Sequence, residues 1–331
     1  MTLVLKLRSL EELKKAAEAI KKGGLVAFPT ETVYGLGADA LNKNAVKKIF
    51  EVKKRPLDNP LIVHISSLDE IHKIAELNPI AKKLIDAFFP GPLTVVMKKK
   101  EIVPDETTGG LKTVAVRMPD HKIALRLIEY SETPIAAPSA NIAGRPSPTR
   151  AEHVIEDLFG KVDVIVDGGE TQIGLESTVV DTTTYPVKIL RPGAVTKEML
   201  SEIVEVEYKE EVEIPLSPGM KYRHYSPRAP LYVFVGDYSR VRSKIAEFAE
   251  NVEKCGMKVV ILARKKDVYE GNVIELGERL EDVARNLFSA LRRADSMNPD
   301  IIVAEGVEEK GIGVAIMNRL RKAAGERVYR I

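Results

Sequence analysis

The chain has 331 residues, 44% of them hydrophobic, and its 50 Lys and Arg against 48 Asp and Glu give a formal net charge of +2. That is enough to bury a sizeable core in one large or two ordinary domains, and the balanced charge is not that of a general nucleic-acid binder. A single cysteine, Cys255, excludes an internal disulfide and a cysteine-built metal cage. No apolar run approaches the roughly 20 residues of a membrane span, and the opening MTLVLKLRSLEELKK turns amphipathic too soon for a signal peptide, so a cytoplasmic protein without membrane contact is expected.

In chain order, Leu3 to Leu7 reads as a strand, and Ser9 with Glu12 reads as a capping box opening a helix that ends at Gly23-Gly24. Leu25 to Phe28 reads as a buried strand that stops at Pro29 in the polar cluster Thr30-Glu31-Thr32, followed by Tyr34, Gly35 and Gly37. Hydroxyls and glycines at a strand end would let a ligand approach backbone N–H groups. A helix capped by Asn42 or Asn44 then runs into Lys53-Lys54-Arg55 and is expected to end at Pro56. Three cations there suit the helix dipole, and they equally suit a polyphosphate. After Asn59-Pro60, the strand Leu61 to Ile65 carries His64, which by pattern alone is a satisfied core histidine.

Ser67 with Glu70 repeats the capping signal, Leu93 to Met97 reads as a strand, and Thr113 to Arg117 reads as a strand that delivers Arg117 to its end. An Asp120 cap opens a further helix, and Pro134 to Pro138 leads to Ser139-Ala140-Asn141. A turn with Gly144, Arg145 and Ser147 precedes a helix capped by Thr149 and Glu152. Strands at Val162 to Val166, Val179-Val180 and Val187 to Leu190 follow, with Ser177 before the second and Arg191 after the third. The fold class is α/β, with a twisted mixed sheet, helices and an open concave face. Residues 1–204 form the expected first domain, and 205–230 a linker rich in Pro, Tyr and cations. From 231 to 331 strand and helix alternate cleanly, as in a small Rossmann-like parallel α/β domain.

Several chemistries fail by absence. There is no GxxxxGK[ST], HExxH or GxSxG stretch, and His64, His72, His121, His153 and His224 lack metal-ligand spacing with carboxylates. What remains is a set of cations and small polar groups near strand ends, suited to aligning anions without a protein nucleophile.

Lys53-x-Arg55 followed by Ser139-x-Asn141, with PTETVYGLG upstream and NPLIVHI between, resembles the signature of the YrdC family, the threonylcarbamoyl-AMP synthases. The likeness covers roughly the first 200 residues, and the rest resembles the extra C-terminal domain of the family's long form, in which the linker lies over the active site. It implies condensation of L-threonine, bicarbonate and ATP, carried with Mg²⁺, to threonylcarbamoyl-adenylate and pyrophosphate. The product would pass to a tRNA threonylcarbamoyl-transferase, with tRNA itself a possible contact. The resemblance assigns the nucleotide to Lys53, Arg55, Asn59, Thr113, Ser139, Asn141, Ser147, Arg191 and the linker's Tyr225, with Lys53 and Arg55 as the catalytic cations. It assigns threonine to Thr32, His64, Arg117, the Ala137 backbone and Ser177, with Arg117 as the carboxylate fork. Lys54 departs from the small residue expected between the two motif cations. A non-catalytic double-stranded RNA-binding module is the alternative, since Lys53, Lys54, Arg55 and Arg145 on a concave face suit an RNA backbone. Carbamoyl transfer in hydrogenase maturation would bring acylphosphatase and zinc-finger segments, which the chain lacks.

Overall fold

A computed structural model describes residues 1–208 and 225–331. The described residues form two compact units, one comprising Met1–Ala143, Ser147–Gln172 and the chain from Glu176 to Tyr208, the other Gly144–Pro146, Ile173–Leu175 and the chain from Tyr225 to Ile331. Most of the linker read from the sequence, 209–224 of 205–230, lies outside the described residues.

The first unit is built on strands β1 (Leu3–Lys6), β2 (Val26–Phe28), β3 (Gly35–Asp39), β4 (Ile62–His64), β5 (Leu93–Lys98), β6 (Thr113–Arg117), β7 (Ile135–Ala136), β8 (Val164–Asp167), β9 (Thr178–Asp181), β10 (Val187–Arg191) and β11 (Val206–Tyr208). They join in one mixed sheet of order β1-β8-β2-β3-β7-β4-β6-β5-β9-β10-β11. One face is covered along its length by a core that includes the helices Lys43–Lys53, Pro79–Phe88 and Ala151–Leu158. Because side chains alternate across a strand, the residues between point to the other face. There, Leu13–Lys21 and Lys122–Ser131 pack on the β1 to β7 half. On the remaining half, Ile62, Val96, Ala115, Val179 and Leu190, one each from β4, β5, β6, β9 and β10, form a small apolar cluster that no helix residue joins among the described residues. This helix-free half of the sheet is where polar side chains collect.

The glycines after Thr32 do not form a ligand-facing turn. Gly35 and Gly37 lie in β3, which pairs antiparallel with β2 on one side and β7 on the other. A Cβ on Gly37 would stand 2.6 Å from Ile135 Cγ2 and 2.8 Å from Phe28 Cε1, so the glycine makes room for the Phe28 ring. Overpacking of that kind costs about 1–3 kcal/mol.

Capping also departs from the sequence reading in places. Asn42 caps Lys43–Lys53 by accepting from Asn44 and Ala45, and Ser67 with Glu70 forms the full box. Ser9 makes no side-chain cap, because Glu12 accepts instead from the Arg8 N–H at 2.8 Å. Asp120 is displaced by His121 as N-cap, and Thr149 by Arg150, with the Thr149 N–H turned to His153 Nδ1. The Lys43–Lys53 helix ends before Pro56: Lys54 takes φ 54°, and the Arg55 N–H folds back to the Phe50 carbonyl. A left-handed residue at that position closes a helix C-terminus, usually as glycine.

The second unit carries β12 (Leu231–Val235), β13 (Val259–Ala263), β14 (Val273–Glu275), β15 (Ile301–Glu305) and β16 (Val328–Arg330) in the order β14-β13-β15-β12-β16. All its pairings are parallel, and helices Tyr238–Lys254, Leu280–Ser296 and Ile312–Ala324 connect them. Tyr225 sits in this unit, 5% exposed and stacked on Phe288 with ring centroids 5.1 Å apart.

Candidate active site

Strands β4 and β6 run parallel with His64 opposite Arg117 and Ile62 opposite Ala115. That register sets Thr113 beside Pro60 and Asn59 at the start of the pair and brings His64 and Arg117 together at its end. The two ends are separated by four residues of strand, about 13 Å. Of the residues the resemblance assigns, Asn59 and Thr113 lie toward the first end, and His64 and Arg117 toward the second.

At the start, Lys53 is 2% exposed and donates through Nζ to the Ser139 carbonyl at 2.5 Å and to the Asn141 carbonyl. The motif cation and the Ser-x-Asn segment, 86 residues apart, are therefore one physical unit. Lys53 is buried rather than a surface charge on the helix dipole, and its ammonium holds the carbonyls at both ends of Ser139-Ala140-Asn141. Arg55 Nη2 reaches back to the carbonyls of Asn59 and Pro60 at 3.4 and 3.3 Å. The Asn59 side chain is 1% exposed, and neither its Oδ1 nor its Nδ2 has a hydrogen-bond partner among the described residues. A buried amide with no partner costs about 1–3 kcal/mol per group, so Asn59 has both its donor and its acceptor open.

At the other end, Arg117 is 3% exposed. Its Nε donates to the Gly91 carbonyl at 3.3 Å and its Nη1 to Thr32 Oγ1 at 2.9 Å. Thr32 Oγ1 lies 2.9 Å from Thr30 Oγ1, which donates to the Val33 carbonyl at 2.7 Å. With the Thr30 proton spent on Val33, the relay runs in one direction, from Arg117 through the Thr32 hydroxyl to Thr30. Arg117 Nη2 approaches Glu31 Oε1 to 2.6 Å, an ion pair whose partners are both buried rather than on the surface. The approach is off the N–H axis, so Nη2 and both Glu31 oxygens count no hydrogen bond among the described residues. Glu31 is a buried charge at this end that the sequence reading did not assign to the site. Its flanking threonines signalled the turn, but a carboxylate in a polar turn reads as solvated, and its partner lies 86 positions away.

His64 packs edge-on to Phe28, with centroids 6.2 Å apart, and its Nδ1 has no partner among the described residues. It is therefore not the satisfied core histidine that the pattern suggests. Burial, reinforced by the Arg117 charge, pushes its pKa down to about 3, partly offset by backbone groups of Ile135 and Ile62, so the ring is neutral. Unfolded, the ring would protonate near its ordinary 6.5. Between those values unfolding takes up a proton, so stability falls with pH below 6.5, by at most about 1.4 kcal/mol per unit. His64→Gln should therefore lose less stability than the parent in melts from pH 6.5 to 5, and equal losses would contradict a buried neutral ring.

Arg191, at the end of β10, is a further buried cation, tied through Ser177 toward the Arg117 end. Its Nε donates to the Ser177 carbonyl at 3.0 Å and its Nη2 to Ser177 Oγ at 3.1 Å. Ser177 Oγ also meets Thr94 Oγ1 at 2.8 Å, and the pairing of Val95 with Val116 sets Thr94 alongside Arg117. Ser147 donates to Glu176 Oε1 at 2.5 Å, next to Ser177 in the chain. The Ala137 N–H is committed to the Ile62 carbonyl. Tyr225 and Arg145 fall in the second unit, so the geometry of the first does not collect them.

Comparison with known proteins places the chain in a family. Residues 18–193 match the Sua5_yciO_yrdC family, described as "Telomere recombination", and residues 195–325 match "Threonylcarbamoyl-AMP synthase, C-terminal domain". A threonylcarbamoyl-AMP synthase of Pyrococcus abyssi is 53% identical, with all of both chains covered. One of Bacillus subtilis is 46% identical over 96% of this chain and 94% of its own. The crystal structure of P. abyssi Sua5 complexed with L-threonine superposes with a TM-score of 0.96 at 50% identity, covering 100% of this chain and 99% of that one.

Proposed function

The chain belongs to the threonylcarbamoyl-AMP synthase family, and from that premise we propose how its own residues carry the reaction. It is an enzyme that makes L-threonylcarbamoyladenylate from L-threonine, bicarbonate and ATP with release of pyrophosphate, towards threonylcarbamoyladenosine in tRNA. The non-catalytic RNA-binding reading is not favoured. The observation that carries the site assignment is the pairing of Lys53 with Ser139 and Asn141 at one end of β4 and β6, and of Arg117 with Thr32 at the other.

In this reading the threonine carboxylate takes the Arg117 fork, and the hydroxyl meets the polar groups of Thr32, His64 and Ser177. The nucleotide lies toward Arg55, Asn59, Thr113 and the Ser139 to Asn141 segment, with Ser147 and Arg191 beside it. Threonine nitrogen, after its ammonium gives up one proton to solvent, bonds to the carbon of bicarbonate and water leaves; a carbamate oxygen then attacks the α-phosphorus as pyrophosphate departs. The protein contributes alignment of two anions and charge neutralisation rather than a covalent intermediate. Mg²⁺ accompanying ATP would add charge neutralisation at the phosphates beside that supplied by the cations of the chain. No helix of the described residues is long and apolar enough to cross a membrane, and we assign the enzyme to the cytoplasm, where its product passes to a tRNA threonylcarbamoyl-transferase.

The test is incubation with ATP, Mg²⁺, bicarbonate and L-threonine, followed by chromatography. A threonine- and bicarbonate-dependent adenylate with matching pyrophosphate is expected. ATP binding without adenylate would overturn the catalytic reading.

A further inference from the structure

The Arg117 guanidinium does not stand alone in its cavity. Glu31, 3% exposed, lies against it at 2.6 Å, with both carboxylate oxygens lacking a hydrogen bond among the described residues. A buried carboxylate has about four lone-pair positions to satisfy and is costly when they stay empty. Among the described residues its ion-pair partner is Arg117. His64 and His121, the titratable rings that sense this pair, are both pushed down by burial and are neutral near pH 7. The cluster is therefore one positive and one negative charge in van der Waals contact, out of water.

Such a pair constrains what can join it. A simple carboxylic acid bound to Arg117 would leave a net negative charge buried, which is strongly unfavourable. A zwitterion would leave the total at zero, with its own two charges spaced by one carbon to match Arg117 and Glu31. We infer that Glu31 receives the α-ammonium of the substrate amino acid, its vacant oxygens accepting the ammonium N–H groups while Arg117 holds the carboxylate. Glu31 is then a specificity-determining group that selects amino acids over the corresponding hydroxy acids and orients the nitrogen that is to be carbamoylated. The inference rests on the assignment of threonine to Arg117.

The test pairs a ligand deletion with a protein change. L-Threonine and (R)-3-hydroxybutyrate, which is threonine without its ammonium, are titrated calorimetrically into the full chain and into Glu31→Gln. The parent should prefer threonine by about 100-fold, the usual scale of a desolvated charge pair. Glu31→Gln keeps the volume and removes the charge, so it should bind the two ligands within about threefold of each other. A preference that survives intact in Glu31→Gln overturns the inference, as does equal affinity of the parent for both ligands. If Glu31→Gln does not fold, the parent and Glu31→Asp decide: both must prefer threonine, and equal affinities overturn the proposal. Failure of the parent to bind either ligand would instead remove the threonine site at Arg117, and the inference with it.

Discussion

Replacing Arg117 with Ala should weaken L-threonine binding by roughly 100-fold or more while leaving ATP affinity within about threefold. The asymmetry follows from the strand register. Arg117 is at the end of β6 with Thr32 and Glu31, about four residues of strand from Asn59 and Thr113. The truncation also strands Glu31 as a buried, uncompensated carboxylate, which should lower stability by about 3–5 kcal/mol. Melting curves therefore belong beside the calorimetry, and Arg117→Lys separates the effects, since it restores the charge but not the planar fork. In that variant stability should recover more than threonine affinity does. Equal losses of threonine and ATP binding in Arg117→Ala would contradict the division of the site into two ends.

Lys53→Met is the complementary experiment. The substitution keeps a long side chain in a 2% exposed position but leaves the Ser139 and Asn141 carbonyls without their donor. Each orphaned carbonyl costs about 1–3 kcal/mol, so a destabilisation of about 2–5 kcal/mol is expected. The Ser139 to Asn141 segment should then lose its fixed geometry, and ATP affinity should drop at least about tenfold with threonine affinity unchanged. Unaltered ATP affinity together with unaltered turnover would show that Lys53 is structural only. A loss confined to turnover would show that its ammonium acts on the reacting phosphate rather than on the loop.

How far these residues could be read from the chain depended on how local their physics is. Thr113 to Arg117 was delimited to the residue, because a strand of alternating β-branched and small residues between turns is a local pattern. The two motif halves around Lys53 and Asn141 were also legible, and the structure gives the reason they travel together, a buried ammonium on two carbonyls. Gly35 and Gly37 were misread, since their purpose is to clear space for Phe28 and Ile135, which only the sheet order reveals. Thr149 and Asp120 carried correct cap chemistry and lost to their neighbours. The Glu31 to Arg117 pair required a β2-to-β6 juxtaposition through several intervening strands, information that no local period contains.

The most direct test of the account is a crystal structure of the chain with L-threonine and a non-hydrolysable ATP analogue. The threonine carboxylate should lie within hydrogen-bond distance of Arg117, and the phosphates should lie against Arg55, Asn59 and the Ser139 to Asn141 segment, with the α-phosphate facing threonine. A nucleotide seated away from Arg55 and Asn59, or a threonine carboxylate that does not touch Arg117, would contradict it.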